Sequence, residues 1–419
     1  MNKVPIIPDK KLLEAVKKFD TPFYIYDEKS IRQNIKRLQK AFSWNAGYKE
    51  YFAVKAAPTP GLLKIVIDEG CGLDCSSYTE LMLAEAVGAF GNNIMFSSNQ
   101  TPDYEYAYAS KLNAKINLDD YTHIDFLDKT AGLPVEVCCR YNPGNVFPIS
   151  TNIMDKPEEA KYGFTYPQLV QGYIDLKNKG VKSFGMHAFL ASNSLSDEYY
   201  PYLSECLFST AVKLKREHGI TISYINLSGG IGIPYLPEEP CVNIELIGQR
   251  VKEVFNRILV PENLGSISIF TELGRYITGP YGYLISKVLH FKDTYKHYAG
   301  IDACAANLMR PAMYGSYHHI SVIGKENKPK NVVYDVVGSL CENNDKFAVN
   351  RPLPKLNVND ILVIHDAGAH GHAMGYNYNG KLRSAEILLR EDGSFELMRR
   401  KETPKDYFAT LDFLKLDLS

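Results

Sequence analysis

A glycine-rich segment and three charged residues are the parts of this sequence best suited to chemistry. Gly229, Gly230 and Gly232 follow an apolar segment, and a turn of this composition lets backbone N–H groups approach an anion. Arg275 could add a charged fork to the same anion. A GGxG pattern alone is a weak signal, because ordinary tight turns share it. Together with Arg275 it suggests a bound phosphate, which makes a lysine and a carboxylate elsewhere in the chain informative.

Lys55 and Glu272 supply the two other groups that a pyridoxal phosphate (PLP) site needs. A lysine beside a bound phosphate can hold PLP as a Schiff base. A carboxylate can keep the pyridine nitrogen protonated, so that the ring accepts electrons from a breaking bond. These residue types therefore predict PLP as the cofactor.

Eight short apolar segments between residues 48 and 275 are typical of β-strands that alternate with helices. They are YFAVK (51–55), CGLD (71–74), NIMFSS (93–98), AKINLDD (114–120), VEVCCRYN (135–142), FGMHAF (184–189), SYINLSG (223–229) and ISIFTELG (267–274). Thr59 and Pro60 form a typical helix start in one of the intervening segments. This alternation predicts a (β/α)8 barrel of the TIM type, and a doubly wound sheet is the alternative.

Nearly every predicted strand ends in a residue that can take part in chemistry. In a barrel, the carboxyl ends of the strands form the active face. The residues at these ends are Lys55, Asp74, Ser97, Ser98, Asp119, Asp120, Arg140, His187, Ser228 and Glu272. Each one alone is best interpreted as a cap or a satisfied polar residue. Their presence on all eight ends predicts a functional site on this rim.

The sequence pattern changes after about residue 280. Short strand-like segments such as SKVLHFK, HISVIGK, NVVYDVVG, DILVIHDAG and SAEILLR are separated by Gly, Pro, Asn and Asp. This pattern predicts an all-β domain, a β-sandwich or β-barrel. Near the amino terminus, an amphipathic helix (residues 10–18) and a strand, PFYIYD, cannot be placed from pattern alone.

Composition argues against several other classes of function. The chain has 48 acidic and 47 basic residues, so no field of one sign would attract nucleic acid or an anionic membrane. No apolar run approaches a membrane span and no signal peptide is evident, so we expect a cytoplasmic protein. The eight cysteines include no CxxC pair. His318 and His319 are neighbours that would point to opposite faces of a strand, so we predict no metal site.

The motifs together resemble the fold-type III PLP-dependent decarboxylases, and diaminopimelate decarboxylase in particular. The resemblance covers nearly the whole chain through YFAVKA, GCGLDCSSYTEL, INLSGGIGIPY, TELGRY, MRPAMYG, GSLCENND and NYN. It implies that Lys55 is the Schiff-base lysine and that Glu272 contacts the pyridine nitrogen. The other cofactor-binding residues that it implies are Asp74, Arg140, His187, Phe189, Ser192, Gly229, Gly230, Gly232, Gly274, Arg275, His370 and Tyr378.

The resemblance also implies a fold, a reaction and an assembly. The fold is a PLP-binding barrel over residues 26–278 with a β domain formed by 1–25 and 279–419. The reaction is decarboxylation of meso-diaminopimelate to L-lysine and CO2, in lysine biosynthesis. Cys341 is the implied catalytic proton donor, and it would reach into the partner's site in a homodimer. The implied substrate contacts are Arg275, Arg310, Tyr314, Glu342, Asp345 and Tyr378.

Three positions depart from the family's pattern. Phe189 stands where an imidazole usually stacks on the cofactor ring, and its aromatic face can still stack but cannot titrate. His370 replaces a tyrosine that reaches the phosphate, and Leu273 replaces a proline next to Glu272. The three departures together indicate a divergent branch.

Three alternatives remain open at the level of sequence. One is a sibling decarboxylase acting on ornithine, lysine, arginine or a carboxylated polyamine, in which Glu342 and Asp345 would bind an amine. A PLP racemase of the same fold class is disfavoured by the complete CENND segment. A non-catalytic PLP-binding regulatory homologue is disfavoured because Lys55, Glu272 and Cys341 are all present.

Overall fold

The computed structural model describes residues 3–146 and 156–412, and the chain divides into two compact units. The barrel unit comprises Arg32–Ile233 and Pro240–Ile277. The β unit comprises Met1–Ile31, Pro234–Glu239 and Thr278–Ser419. The first boundary lies after Ile31, whereas the resemblance implies a boundary after residue 25. The β unit extends past it because the strand Phe23–Asp27 is hydrogen-bonded to two other strands of this unit.

Eight parallel strands close into a barrel in chain order. With Phe23–Asp27 as β1, they are β2 Lys49–Ala53, β3 Gly72–Cys75, β4 Ile94–Phe96, β5 Lys115–Leu118, β6 Glu136–Arg140, β7 Ser183–His187, β8 Ile222–Asn226 and β9 Ser268–Thr271. Strand β9 pairs with β2 and closes the ring, with Glu50 opposite Thr271. Each predicted strand overlaps one of these eight. The barrel prediction is therefore confirmed, and the doubly wound alternative is wrong.

Helices connect the barrel strands, and side chains cap several of their amino-terminal ends. Among the described residues the α-helices are α1 Asp9–Phe19, α2 Glu28–Phe42, α3 Pro60–Asp68, α4 Tyr78–Ala86, α5 Asp103–Lys111, α6 His123–Ala131, α7 Tyr166–Asn178, α8 Tyr199–His218, α9 Ile244–Ile258, α10 Gly274–Thr278, α11 Arg310–Tyr314 and α12 Pro404–Phe408. Ser77 caps α4 and Asn243 caps α9, each by accepting a backbone N–H of the first turn. None of these helices combines the length and apolar character needed to cross a lipid bilayer.

An aromatic layer fills the barrel interior midway along the strands. It consists of Tyr51, Met95, Cys138, Tyr224 and Phe270. The rings of Tyr224 and Phe270 lie 4.6 Å apart between centroids. Gly185 leaves room for this packing, because a Cβ atom at that position would lie 2.2 Å from Cζ of Tyr224. Since side chains alternate along a strand, residues two positions further on lie above this layer, at the carboxyl ends.

The β unit is built on a mixed nine-stranded sheet. Its further strands are β10 Gly282–Asp293, β11 His297–Ile301, β12 Ile320–Val322, β13 Val332–Val337, β14 Lys346–Leu353, β15 Ile361–Ile364, β16 Ala385–Leu389 and β17 Phe395–Arg399. The main order is β14-β13-β11-β10-β1-β16-β17, and β15 pairs with both β10 and β12. The predicted separate β domain is confirmed.

The amino-terminal strand that pattern could not place occupies an interior position of this sheet. The segment PFYIYD contains β1, which pairs antiparallel with β10 and parallel with β16. All five β1 residues are buried, which explains its continuous apolar and aromatic character. Three strands were missed. Strand β11 contains a glycine, β14 contains a proline and exposed polar residues, and β17 is a partly exposed strand at the end of the sheet.

Candidate active site

A ring of polar side chains lies directly above the aromatic layer of the barrel unit. Its members are at most 6% exposed, and they are Asp74, Ser97, Asn117, Arg140, His187, Asn226 and Glu272. Burying so many polar groups is unfavourable unless they bind one another or a ligand. We call this set the polar ring, and it is the centre of the candidate active site.

Glu272 follows the last strand of the barrel and receives three hydrogen bonds, two of them from other members of the polar ring. Asn226 Nδ2 donates to Glu272 Oε1 at 2.7 Å, and Ser228 Oγ donates to Oε2 at 2.9 Å. His187 Nε2 lies 3.1 Å from Oε2. A carboxylate has about four acceptor positions, so one remains for a donor from a ligand. The carboxylate is thus fixed in direction but not saturated.

The two carboxyl groups of the polar ring have pKa values that move in opposite directions. Burial raises the pKa of Glu272, but His187, Ser228 and Lys55 outweigh it and hold the pKa at about 2. Burial and the charge of Glu272 raise the pKa of Asp74 well above its usual value. Glu272 is therefore ionised at neutral pH. Asp74 Oδ1 has no hydrogen-bond partner among the described residues, which leaves it able to bind a ligand.

His187 donates one hydrogen bond to Glu272. Burial lowers its pKa below the usual value, more than the neighbouring Glu272 raises it. The ring donates through Nε2 to the ionised Glu272, and Nδ1 finds no partner within the described part of the chain. His187 therefore orients Glu272 and keeps one free acceptor facing the polar ring.

Lys55 lies just beyond its strand, in the 3₁₀ turn Val54–Ala56, and its side chain is exposed. Its Nζ lies 5.1 Å from the centroid of the Phe189 ring. Phe189 in turn packs edge-on against Tyr162 with centroids 5.9 Å apart. The amine and the aromatic face predicted to contact the cofactor are therefore brought together. Tyr162 was missed, because it lies in a loop with no strand or helix pattern.

The glycine loop runs beside the strand end that carries Glu272. The backbone N–H of Glu272 donates to Ser228 O at 2.8 Å, and Ser194 N–H donates to Gly230 O at 2.8 Å. Gly230 has φ +107°, and a Cβ there would lie 2.5 Å from the Tyr199 ring. Among the described residues, no hydrogen bond uses the N–H groups of Gly229 or Gly230. Two adjacent backbone donors are therefore available for an anion.

Among the predicted cofactor-binding residues of the barrel unit, Arg275 and Arg140 are buried cations. Arg275 is 7% exposed and lies in the first turn of α10, directly after Gly274. Arg140 is 4% exposed and forms an ion pair with Asp119 at 3.1 Å. Its guanidinium carbon also lies 5.4 Å from the Tyr162 ring. Arg140 is thus held in place by protein groups. Ser192 is half-buried, on the segment that pairs with the glycine loop.

In the β unit, Arg310 is buried against aromatic rings. It opens α11, is 4% exposed, and its guanidinium carbon lies 5.3 Å from the Tyr235 ring and 6.0 Å from the Tyr314 ring. Tyr314 itself is 57% exposed. The predicted pair Arg310 and Tyr314 is therefore a real cluster, to which the structure adds Tyr235. Because Tyr235 is distant in sequence from α11, no local motif could indicate its contact with Arg310.

The remaining predicted residues of the β unit fall into exposed and internal groups. Cys341 and Glu342 are exposed, and Cys341 N–H donates to Asn379 Oδ1 at 2.7 Å, next to the half-exposed Tyr378. His370 adopts φ +53° in a turn after β15. Asp345 is different, because both of its carboxylate oxygens accept backbone N–H groups, those of Ala305 and Leu340. It therefore holds a loop together.

The barrel unit has the groups that PLP requires. Unpaired N–H donors and Arg275 suit a phosphate, Lys55 supplies an amine beside an aromatic face, and Glu272 supplies an ionised acceptor. Residues 28–279 match the family model described as pyridoxal-dependent decarboxylase, pyridoxal binding domain. This chain belongs to the pyridoxal-dependent decarboxylase family. It is a PLP-dependent carboxy-lyase, so the predicted family, fold and cofactor are confirmed.

Individual relatives of the decarboxylase match it over nearly their whole length. Protein TabA from Pseudomonas amygdali pv. tabaci is 39% identical, over 97% of this chain and 94% of the relative. Diaminopimelate decarboxylase from Methanothermobacter thermautotrophicus is 33% identical, over 94% and 92%. The crystal structure of diaminopimelate decarboxylase from M. jannaschii in complex with L-lysine has a TM-score of 0.89 at 28% identity. It covers 97% of this chain and 95% of that chain.

The opposite pKa shifts of Glu272 and Asp74 predict opposite pH dependences of stability. The folded-state pKa of Glu272 is about 2, below the usual 4.5. The stability that Glu272 contributes is present above 4.5 and is lost as pH falls towards 2. The folded-state pKa of Asp74 is raised, so its contribution is present in acid and is lost as pH rises.

Urea unfolding of the parent, Glu272→Gln and Asp74→Asn as a function of pH tests both signs. On acidification, the parent should lose stability relative to Glu272→Gln and gain stability relative to Asp74→Asn. Parallel pH curves for all three proteins would contradict the assigned protonation states.

Proposed function

We propose that this decarboxylase converts meso-diaminopimelate to L-lysine and CO2. The observation that carries the proposal is the match, over nearly the full length, to enzymes named diaminopimelate decarboxylase at 28–33% identity. One solved relative of that name holds L-lysine. The proposal is also supported by the buried Arg310, because the substrate carries a second, distal carboxylate.

The residues of the barrel unit have complementary roles in this proposal. PLP, when bound, supplies an electron sink for the electrons that remain when the carboxylate leaves as CO2. Lys55 Nζ would hold the cofactor. Glu272, which is ionised, would accept a hydrogen bond from the ring nitrogen. The N–H groups of Gly229 and Gly230 and the Arg275 guanidinium would bind the phosphate, and Phe189 would cover the ring.

Residues of the β unit are proposed to recognise the far end of the substrate and to move a proton. Arg310 binds the distal carboxylate, with its planar group held by the Tyr235 and Tyr314 rings. Glu342 binds the distal ammonium. Cys341 Sγ donates the proton that replaces the lost carboxylate, from a second copy of the chain in a homodimer. Asp345 accepts the backbone N–H groups of Ala305 and Leu340 and so holds the loop that carries Cys341 and Glu342.

The second candidate function is decarboxylation of a different amino acid. Protein TabA, at 39% identity, has a name that states no substrate. The departures at Phe189 and His370 lie in the predicted cofactor site, where they could accompany a change of substrate. Ornithine, lysine, arginine and carboxylated polyamines remain the substrates to compare. The predicted cytoplasmic location and the role in lysine biosynthesis stay predictions.

Turnover of purified PLP-loaded enzyme on meso-diaminopimelate, ornithine, lysine and arginine tests the substrate. Selective release of lysine and CO2 from meso-diaminopimelate is expected. Arg310→Met should lower that turnover by about a hundredfold, because a paired carboxylate loses its charged partner. The absorption band of the bound cofactor should persist in this variant. Arg310→Lys, which keeps the charge but not the planar fork, should lie between. Full turnover by Arg310→Met, or preference for another substrate, would contradict the assignment.

Mixing of inactive variants tests the proposed shared site. Lys55→Ala and Cys341→Ala should each lose activity by about a hundredfold or more. If the site combines Lys55 of one copy with Cys341 of another, random reassociation should restore roughly a quarter of parent activity. Cys241→Ala, which removes the other exposed cysteine, is the matched control and should stay active. No recovery on mixing, with confirmed exchange of subunits, would count against the shared site.

A further inference from the structure

Glu50 is a buried carboxyl group that the proposed mechanism does not use. It is 1% exposed and lies on β2, directly before Tyr51 of the aromatic layer. Adjacent residues of a strand point to opposite faces. Since Tyr51 faces the barrel interior, Glu50 faces outward, towards the helices that surround the barrel. Its carboxyl group is therefore on the side of the sheet away from the polar ring.

Glu50 contacts the residues that precede and follow Glu272 in the chain. The N–H of Leu273 donates to Glu50 Oε1 at 2.6 Å. The hydroxyl of Thr271 donates to Glu50 Oε2. The Tyr48 hydroxyl lies 2.8 Å from Thr271 Oγ1 and extends the chain of hydrogen bonds. The residue before Glu272 and the residue after it are thus both tied to one side chain on the neighbouring strand.

The Leu273 contact depends on a feature of this chain. Leucine has a backbone N–H to donate. Proline, which stands at this position in the family's pattern, has none. With proline there, Glu50 Oε1 would lose its donor in a buried place.

Burial makes Glu50 an unfavourable residue at this position. It raises the pKa of Glu50 to about 8, even though the hydrogen bonds from Thr271 and Leu273 act in the opposite direction. The titratable groups that interact with Glu50 from the surrounding elements are Tyr48, Cys71, Tyr200 and Glu272. An apolar side chain would avoid this cost. The two hydrogen bonds are what the carboxyl group adds.

We infer that Glu50 is a positioning residue for Glu272. By holding Thr271 and Leu273 from outside the barrel, it fixes the direction in which the Glu272 carboxylate points inside the polar ring. The backbone of Glu272 is held on the other side by Ser228, whose carbonyl accepts the Glu272 N–H at 2.8 Å. This inference rests on the proposed role of Glu272 as the partner of the cofactor's ring nitrogen.

The central comparison is between Glu50→Met and Glu50→Gln in the PLP-loaded enzyme. Methionine has a similar volume but no comparable acceptor, whereas glutamine can accept from Leu273 and bond with Thr271. Glu50→Met should lower kcat by about tenfold to a hundredfold with KM changed by less than about threefold. Glu50→Gln should stay within about threefold of the parent. Equal impairment of both variants, or full kcat in Glu50→Met, would overturn the inference.

The visible circular dichroism of bound PLP separates positioning from a general structural role. Glu50→Met should change this spectrum in the same sense as Glu272→Gln, and Glu50→Gln should restore it. A purely structural role would lower the urea midpoint of Glu50→Met and leave the spectrum unchanged, which would overturn the inference. If Glu272→Gln itself has the parent spectrum and turnover, the proposed role of Glu272 fails instead.

Two further substitutions keep the inference testable if Glu50→Met does not fold. Thr271→Val removes the hydroxyl donor at nearly constant volume, and Leu273→Pro removes the backbone donor. Each should reproduce part of the kcat loss and of the spectral change. The combination of Glu50→Gln with Leu273→Pro should be as impaired as Leu273→Pro alone, because the glutamine then lacks its donor. Parent behaviour in both Thr271→Val and Leu273→Pro would overturn the inference.

Discussion

The proposed chemistry of the barrel depends on one interaction, the network of hydrogen bonds that holds the ionised carboxylate of Glu272. A carboxyl group that is 6% exposed would ordinarily take up a proton. His187, the Ser228 hydroxyl and the charge of Lys55 make the charged form the stable one instead, and Asn226 donates a further hydrogen bond. In the proposed function, a negative charge kept in this place would stabilise the protonated ring nitrogen, on which electron withdrawal by the cofactor depends.

The closed barrel brings these three donors to one carboxylate. His187 ends β7, Asn226 ends β8, and Ser228 lies in the left-handed turn that follows β8. These groups meet only because β7, β8 and β9 are neighbours in a closed barrel. Below them, the aromatic layer fills the barrel interior, so the polar ring is closed on that side. Gly185 permits this packing, since any side chain there would collide with Tyr224.

The sequence predicted the parts of the fold and the site that are encoded locally. The eight barrel strands were found because each is a short apolar segment bounded by turn residues, and Lys55 and the glycine loop lie within compact motifs. Asn226, Ser228 and Tyr162 were not assigned roles, because their contacts join separate strands and loops. Glu50 was missed for the same reason, since nothing in KEYFA shows which neighbour its carboxyl group binds. Asp345 accepts two backbone N–H groups, a structural role that its motif did not indicate.

The most direct test of the account is the ¹⁵N NMR shift of the ring nitrogen of labelled PLP bound to the enzyme. If Glu272 is ionised and contacts that nitrogen, the parent should show the shift of a protonated pyridine across the neutral pH range. Glu272→Gln should show the shift of an unprotonated ring. The same protonated shift in both proteins would contradict the central role assigned to the Glu272 carboxylate.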